Sequence, residues 1–117
     1  MAFCPEKRHS SRVRLQCPLH YRVLPLGAAS LRNAVVQDVS LRGFKFWSQE
    51  FIPKNADFFV EMDLPGHAPI RSLAKAVWIR ERPDDGGCEV GSMFVDPPHN
   101  ARTTLSRFVA EQLQLAG

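Results

Sequence analysis

Residues 70–95, IRSLAKAVWIRERPDDGGCEVGSMFV, hold the pattern from which the fold follows. Two runs rich in Val, Ile, Phe and small residues flank Pro83-Asp84-Asp85-Gly86-Gly87. That order favours a tight reversal, because Pro presets φ, Asp bonds its own backbone and Gly accepts φ > 0. Upstream of the reversal, Leu73, Lys75, Val77 and Ile79 fall on one face and Ala74, Ala76, Trp78 and Arg80 on the other. A period of two is that of a strand. Residues 88–95 return alongside it, so the segment is an antiparallel hairpin.

The same grammar runs upstream. Val13, Leu15, Cys17 and Leu19 alternate with Arg14, Gln16 and Pro18, and the strand continues through Tyr21 and Val23. Pro18 has no N–H, which demands an edge or a bulge there. Residues 25–30 carry Pro, Gly and Ser and form a turn. Residues 33–39 are a Val-rich strand, residues 40–43 a turn, and Phe44, Phe46 and Ser48 alternate with Lys45 and Trp47 in a third strand. Residues 51–55 turn again, 58–64 form a fourth strand, and Pro65-Gly66 closes it. After Pro97-Pro98 the period changes. Leu105, Phe108, Val109, Gln112 and Leu113 recur at helical spacing, with Asn100 as N-cap over a helix of about 99–115. The expected fold is all-β with one C-terminal helix. Six antiparallel strands avoid exposed edges by closing into a β-barrel.

With 117 residues the chain is read as one domain, residues 13–117, preceded by a flexible arm, residues 1–12. No apolar run reaches the roughly 18 residues of a membrane helix, and the basic start has no apolar signal region. The expected location is the cytoplasm. Cys4, Cys17 and Cys88 are far apart and odd in number, which fits neither a disulfide scaffold nor a zinc site. His9, His20, His67 and His99 are equally scattered, and HExxH, GxSxG and P-loop motifs are absent. We therefore expect no enzyme, no catalytic residues, no metal and no cofactor.

Two short motifs carry chemistry. Lys7, Arg8, Arg12 and Arg14 gather within residues 7–14, and Arg8-His9-Ser10-Ser11-Arg12 in the arm forms an RxxxR. Asp38-Val39-Ser40-Leu41-Arg42-Gly43 forms a DxSxxG at a turn between two strands. Each alone has an ordinary explanation: a solvated basic tail, or a turn whose glycine supplies φ > 0. Together they are complementary to a guanine nucleotide. The planar fork of Arg grips a phosphate or the O6 and N7 of guanine. An ionised Asp only accepts, so it matches the N1–H and N2–H edge. Ser serves either partner, and Gly admits close approach to the backbone.

RxxxR followed by DxSxxG in a chain of this length resembles the PilZ domain. Ala74-Lys75-Ala76-Val77-Trp78 resembles the family's strand ending in Trp, and Val90-Gly91-Ser92-Met93-Phe94 its GxxF strand. The resemblance implies a six-stranded barrel and bacterial cyclic di-GMP as ligand. It assigns ligand contacts to Arg8, Arg12, Asp38, Ser40 and Gly43, with Lys7 and Trp78 as secondary candidates. Many relatives carry Arg where Lys7 stands. Lys lacks the planar fork, so the resemblance does not fix whether one ligand molecule or two bind. Arg42 is expected to be exposed.

The implied function is a second-messenger receptor whose arm closes over the ligand and signals to a protein partner of unknown identity. Two rivals stay open. One is a protein-interaction module of the same fold without ligand. The other is a small-barrel binder of single-stranded nucleic acid, with Phe44, Phe46 and Trp47 as stacking platforms. The net charge of +3 gives that second rival little phosphate attraction. No membrane partner is expected. The downstream process, affinity and oligomeric state are not written in the sequence.

Overall fold

The structure is a computed structural model and describes residues 12–24, 32–82, 84 and 86–116. Six strands precede one helix: β1 (Val13–Leu24), β2 (Arg32–Val39), β3 (Gly43–Ser48), β4 (Asp57–Met62), β5 (Ile70–Arg82), β6 (Gly87–Val95) and α1 (His99–Ala116). They close into a barrel in the order β1-β2-β3-β6-β5-β4, every neighbour antiparallel. The expected all-β barrel with a C-terminal helix is what the chain adopts. Closure gives every strand two neighbours, which covers most of the strand edges.

Period-two alternation fills the barrel. Leu19, Tyr21, Val36, Phe44, Phe46, Phe58, Val60 and Val90 point inward and are buried. The rings of Phe44, Phe46 and Phe58 lie within 5.7–6.4 Å of one another, centroid to centroid. Tyr21 joins them at 5.6 Å from Phe46, and its hydroxyl is satisfied at 2.9 Å by Ser48 Oγ. Each such ring contributes about 2–3 kcal/mol by leaving water. Phe44 and Phe46 are therefore core, not stacking platforms. The two described cysteines, Cys17 and Cys88, are buried free thiols, and burial followed by the charge of Asp63 pushes Cys17 up to about 11.

Helix α1 buries Ala101, Leu105, Phe108 and Val109. The stripe stops there, because Leu113 is exposed. His67, after β4, sets its ring edge-on to Phe108 and hydrogen-bonds Glu111 at 2.9 Å, tying the helix to the β4–β5 connection. The first helical bond runs from Arg102 N to Pro98 O at 3.0 Å. Pro98 thus occupies the N-cap position, and Asn100 lies inside the first turn. Among the described residues no helix is long and apolar enough to cross a membrane.

Pro18 is accommodated as its missing N–H requires. It sits beside an irregularity over Arg14–Cys17, just beyond the β1–β4 pairing that begins at Leu19. Two further irregularities interrupt the ladders, at Val36/Asp38 against β3 and at Ala76/Trp78 against β6. In each a strand carries one extra residue; the alternation changes phase on β2 and β5, while β1 keeps Val13, Cys17, Leu19 and Tyr21 on its inward face. All three breaks fall around one patch of the outer wall.

Candidate functional site on the outer barrel wall

The bulge at Gln37 decides where Asp38 points. Val36 pairs with inward Phe46, Asp38 with Lys45, and Val39 with inward Phe44. Without the extra residue, strict alternation from Val36 would turn Asp38 into the core and Val39 out. With it, Val39 is fully buried and Asp38 faces the outer wall. The bulge at Val77 does the same on β5. Ala76 is inward, Trp78 is outward and 40% exposed, and Ile79 returns to pack on the core. The uninterrupted alternation expected for residues 73–80 is corrected here: Trp78 does not share a face with Ala74 and Ala76.

The registers then place one residue from each of five strands in a transverse row: Arg14, Asp38, Lys45, Gly91 and Trp78. At about 4.8 Å per strand, Asp38 and Trp78 stand roughly 14 Å apart along it. Gly91 is the floor on which the indole rests. A Cβ built at Gly91 would meet Trp78 Cε2 and Nε1 at 2.2 Å.

Asp38 is held between two cations. Arg12 Nη1 donates to Oδ1 at 2.8 Å, and Lys45 Nζ lies 3.6 Å from Oδ2. The carboxylate is nearly buried while Arg12 is more than half exposed. Arg12, the last residue of the basic arm, thus has a definite place on the barrel. Beside the pair opens a groove of about 430 Å³, lined by Arg14, Leu15, Gln16, Gln37, Asp38 and Lys45.

A second row flanks the first and carries Val35, Trp47, Glu89 and Arg80. Glu89 accepts from Arg80 Nε at 3.0 Å and from Arg80 Nη2, with Arg82 Nη1 at 3.5 Å. The Arg80 hydrogen bonds hold its carboxyl below the usual range despite burial, helped by Lys45 and Arg82. Lys45 pairs with Asp38, and its charge also favours the ionised form of Glu89. The outer wall offers cations, one carboxylate within reach of a groove, and an indole face.

Ser40 and Gly43 behave differently from Asp38. Ser40 N donates to Gly43 O at 2.8 Å, and Ser40 Oγ accepts from Arg42 N and Gly43 N at 3.2 and 3.3 Å. Oγ also donates to Gly43 O at 3.3 Å, and Ser40 is buried. This hydroxyl closes the turn. Gly43 is not required by a positive φ, since its backbone is not in that region. It is required because a Cβ would sit 2.0 Å from the Ser92 carbonyl oxygen on β6. Arg42 is exposed, as expected, while its carbonyl accepts from Phe94 N at 2.9 Å.

The structure thus brings Arg12 and Asp38 together and sets Trp78 on the same row. It puts Ser40 and Gly43 in the turn behind them. Lys7 and Arg8 lie outside the described residues. Lys45 and Gly91 went unnamed as site residues in the sequence reading. Lys45 was legible as the outward residue after inward Phe44; Gly91 was not, because its role depends on a cross-strand indole. Among the described residues no group of three or more His, Cys, Asp or Glu could hold a metal ion.

Comparison with solved structures agrees with this architecture. The PilZ domain with c-di-GMP of YcgR from Escherichia coli superposes with a TM-score of 0.72 at 15% identity, covering 94% of each chain. The Bacillus subtilis inhibitor of motility MotI/DgrA gives 0.73 at 12% identity over 92% of this chain. The present chain spans about half of that protein's length, 52%. The PilZ domain of CeSA from a cellulose-synthesizing bacterium gives 0.61 at 11% identity, covering 92% of this chain and all of the other. At such identities the likeness shows the fold. No curated protein matches the chain in sequence. The model of the PilZ domain family matches residues 6–111, nearly the whole length, and the chain belongs to that family.

Proposed function

We propose that the chain is a receptor for cyclic di-GMP, bound across the outer wall from Asp38 toward Trp78. The observation that carries this reading is Asp38, turned outward by a bulge and flanked by Arg12 and Lys45. A carboxylate beside cations suits a ligand that joins a donor edge to an anionic backbone. Guanine offers N1–H and N2–H, and the cyclic dinucleotide offers two negative phosphates. The YcgR PilZ structure is one with c-di-GMP, which supports the choice within nucleotides.

In this reading the roles divide as follows. Asp38 accepts from the guanine edge. Arg12 leaves Asp38 and donates to phosphate or to O6 and N7, and Arg8, four residues earlier, joins it. Lys45 remains as a point charge beneath the ligand. The exposed indole of Trp78 gives a second base a stacking face. Ser40 and Gly43 keep the turn in shape beside Asp38 and admit the ligand to its backbone. Closure of the arm would then alter the surface shown to a protein partner. In this reading the protein works in the cytoplasm as a binding module, with the ligand as signal and no reaction of its own.

A calorimetric titration with cyclic di-GMP tests the proposal. Saturable binding with one or two ligands per chain is expected. Arg12→Ala should weaken it by about 10- to 100-fold, the loss of a charge-assisted contact of about 1.5–3 kcal/mol. No heat and no amide shift at ligand concentrations far above the protein would overturn it.

A further inference from the structure

One row closer to α1, Gly43 pairs with Met93 on the outer wall. There a separate groove of about 530 Å³ opens, lined by Leu41, Arg42, Met93, Phe94, Arg102 and Leu105 among others. Three elements bound it: the turn of residues 40–43, the end of β6 and the first turns of α1. Leu41 and Met93 are 47% and 48% exposed, which leaves a sizeable apolar floor in water. Two cations stand at its rim. Arg102 is steadied by its Nε donating to Pro97 O at 3.2 Å. Its terminal nitrogens, and the whole Arg42 guanidinium, have no hydrogen-bond or ion-pair partner among the described residues. No lining residue is acidic.

We propose that this groove docks a short acidic, amphipathic segment of a partner protein. An apolar side chain enters between Leu41, Met93 and Leu105, and flanking carboxylates meet Arg42 and Arg102. Arginine's planar fork makes such contacts bidentate, and apolar anchors supply the buried area. The charge and shape argue against other occupants. A symmetric second copy would bring arginines against arginines. The chain's own arm carries Lys7, Arg8 and Arg12 against one acid, Glu6, and has the wrong sign. An anionic bilayer needs an apolar ridge to insert, and this surface is concave. The turn that walls the groove is the one beside Asp38, but the docking does not require that any nucleotide bind.

Selection of short random peptides displayed on phage, run on the whole protein, tests this. A parallel selection uses the double variant Arg42→Glu/Arg102→Glu. The expected consensus is a Leu, Ile, Phe or Met flanked by Asp or Glu, with affinity lower by at least about tenfold on the double variant. The best peptide, synthesised, should shift the amides of Leu41, Met93 and Arg102. No enrichment, a basic consensus, equal binding to both proteins or shifts elsewhere would overturn the proposal. So would binding of phosphatidylserine vesicles, of single-stranded oligonucleotides or of a second copy that the double variant abolishes. Thermal melts of the double variant should match the wild type, since both arginines are exposed. Cyclic di-GMP titration of both proteins separates the two readings. Absence of binding in both removes the ligand reading and leaves the docking groove to stand on the peptide result.

Discussion

Arg12 Nη1 donates to Asp38 Oδ1 at 2.8 Å, and this bond joins the end of the basic arm to the barrel wall. It links two residues that the ligand reading assigns to different parts of one molecule. The pair is cheap to exchange. Arg12 is 57% exposed, so water can replace Asp38 as its partner, whereas the nearly buried Asp38 needs a new donor when Arg12 leaves. A ligand offering N–H donors to Asp38 and phosphate to Arg12 gives each a new partner, with no charge left unpaired.

Removing the shared carboxylate separates binding from stability. Asp38→Ala should lower cyclic di-GMP affinity by about 10- to 100-fold, because the guanine edge loses its acceptor. The melting temperature should fall by only a few degrees, since the partner arginine stays solvated. Calorimetry and thermal melts on the same sample check both halves.

The two glycines of the outer wall should respond oppositely to the same change. Gly43→Ala drives a Cβ into the Ser92 carbonyl, which is backbone and cannot swing aside. Overpacking there should cost about 1–3 kcal/mol of unfolding free energy in urea. At Gly91 the three atoms nearest an added Cβ all belong to the Trp78 ring, which is exposed and can rotate away. The signature of Gly91→Ala should be a red-shifted indole emission in a Trp47→Phe background, with little change in stability.

Ser40→Ala removes two acceptor contacts and one donor contact inside the turn of residues 40–43. We expect a loss of about 1 kcal/mol in denaturant unfolding. Amide exchange should speed up at Gly43 and at Phe94, whose N–H bonds the Arg42 carbonyl. Unchanged exchange there would mean that the hydroxyl does not hold the turn.

Glu89 gives the protein a pH-dependent component of stability. Its carboxyl titrates below the usual range in the folded state, chiefly through the Arg80 hydrogen bonds. A depressed folded value means that the unfolded chain takes up the proton first as pH falls. The contribution is therefore present above the unfolded value of roughly 4.3 and is lost as pH drops through the folded one. Glu89→Gln should be less stable than wild type at pH 7, and the gap should narrow as the pH falls from 7 into the acid range. Urea melts across that range read it directly.

The strands were legible because each buries one face, and Val, Phe and Ile repeat every second residue between clear turn signals. The helix was legible from its change of period, and the expected bounds of about 99–115 match His99–Ala116; only the cap differs, since Pro98 and not Asn100 offers the first carbonyl. What the sequence does not show is phase. The bulges at Gln37 and Val77 exist only in relation to β3 and β6, so no local pattern marks them. They nonetheless decide that Asp38 and Trp78 face outward. The same holds for Gly43, whose neighbour is the Ser92 carbonyl from the far end of the chain. Asp38 and Arg12 could be named from motif chemistry; their contact with each other could not.

The row of five strands is the heart of the ligand reading, and an amide-resolved titration with cyclic di-GMP tests it most directly. We predict the largest shifts at Arg12, Asp38, Lys45, Gly91 and the Trp78 indole N–H, saturating together. Shifts confined to the β4–β5 side of the barrel, or none at saturating ligand, would contradict it.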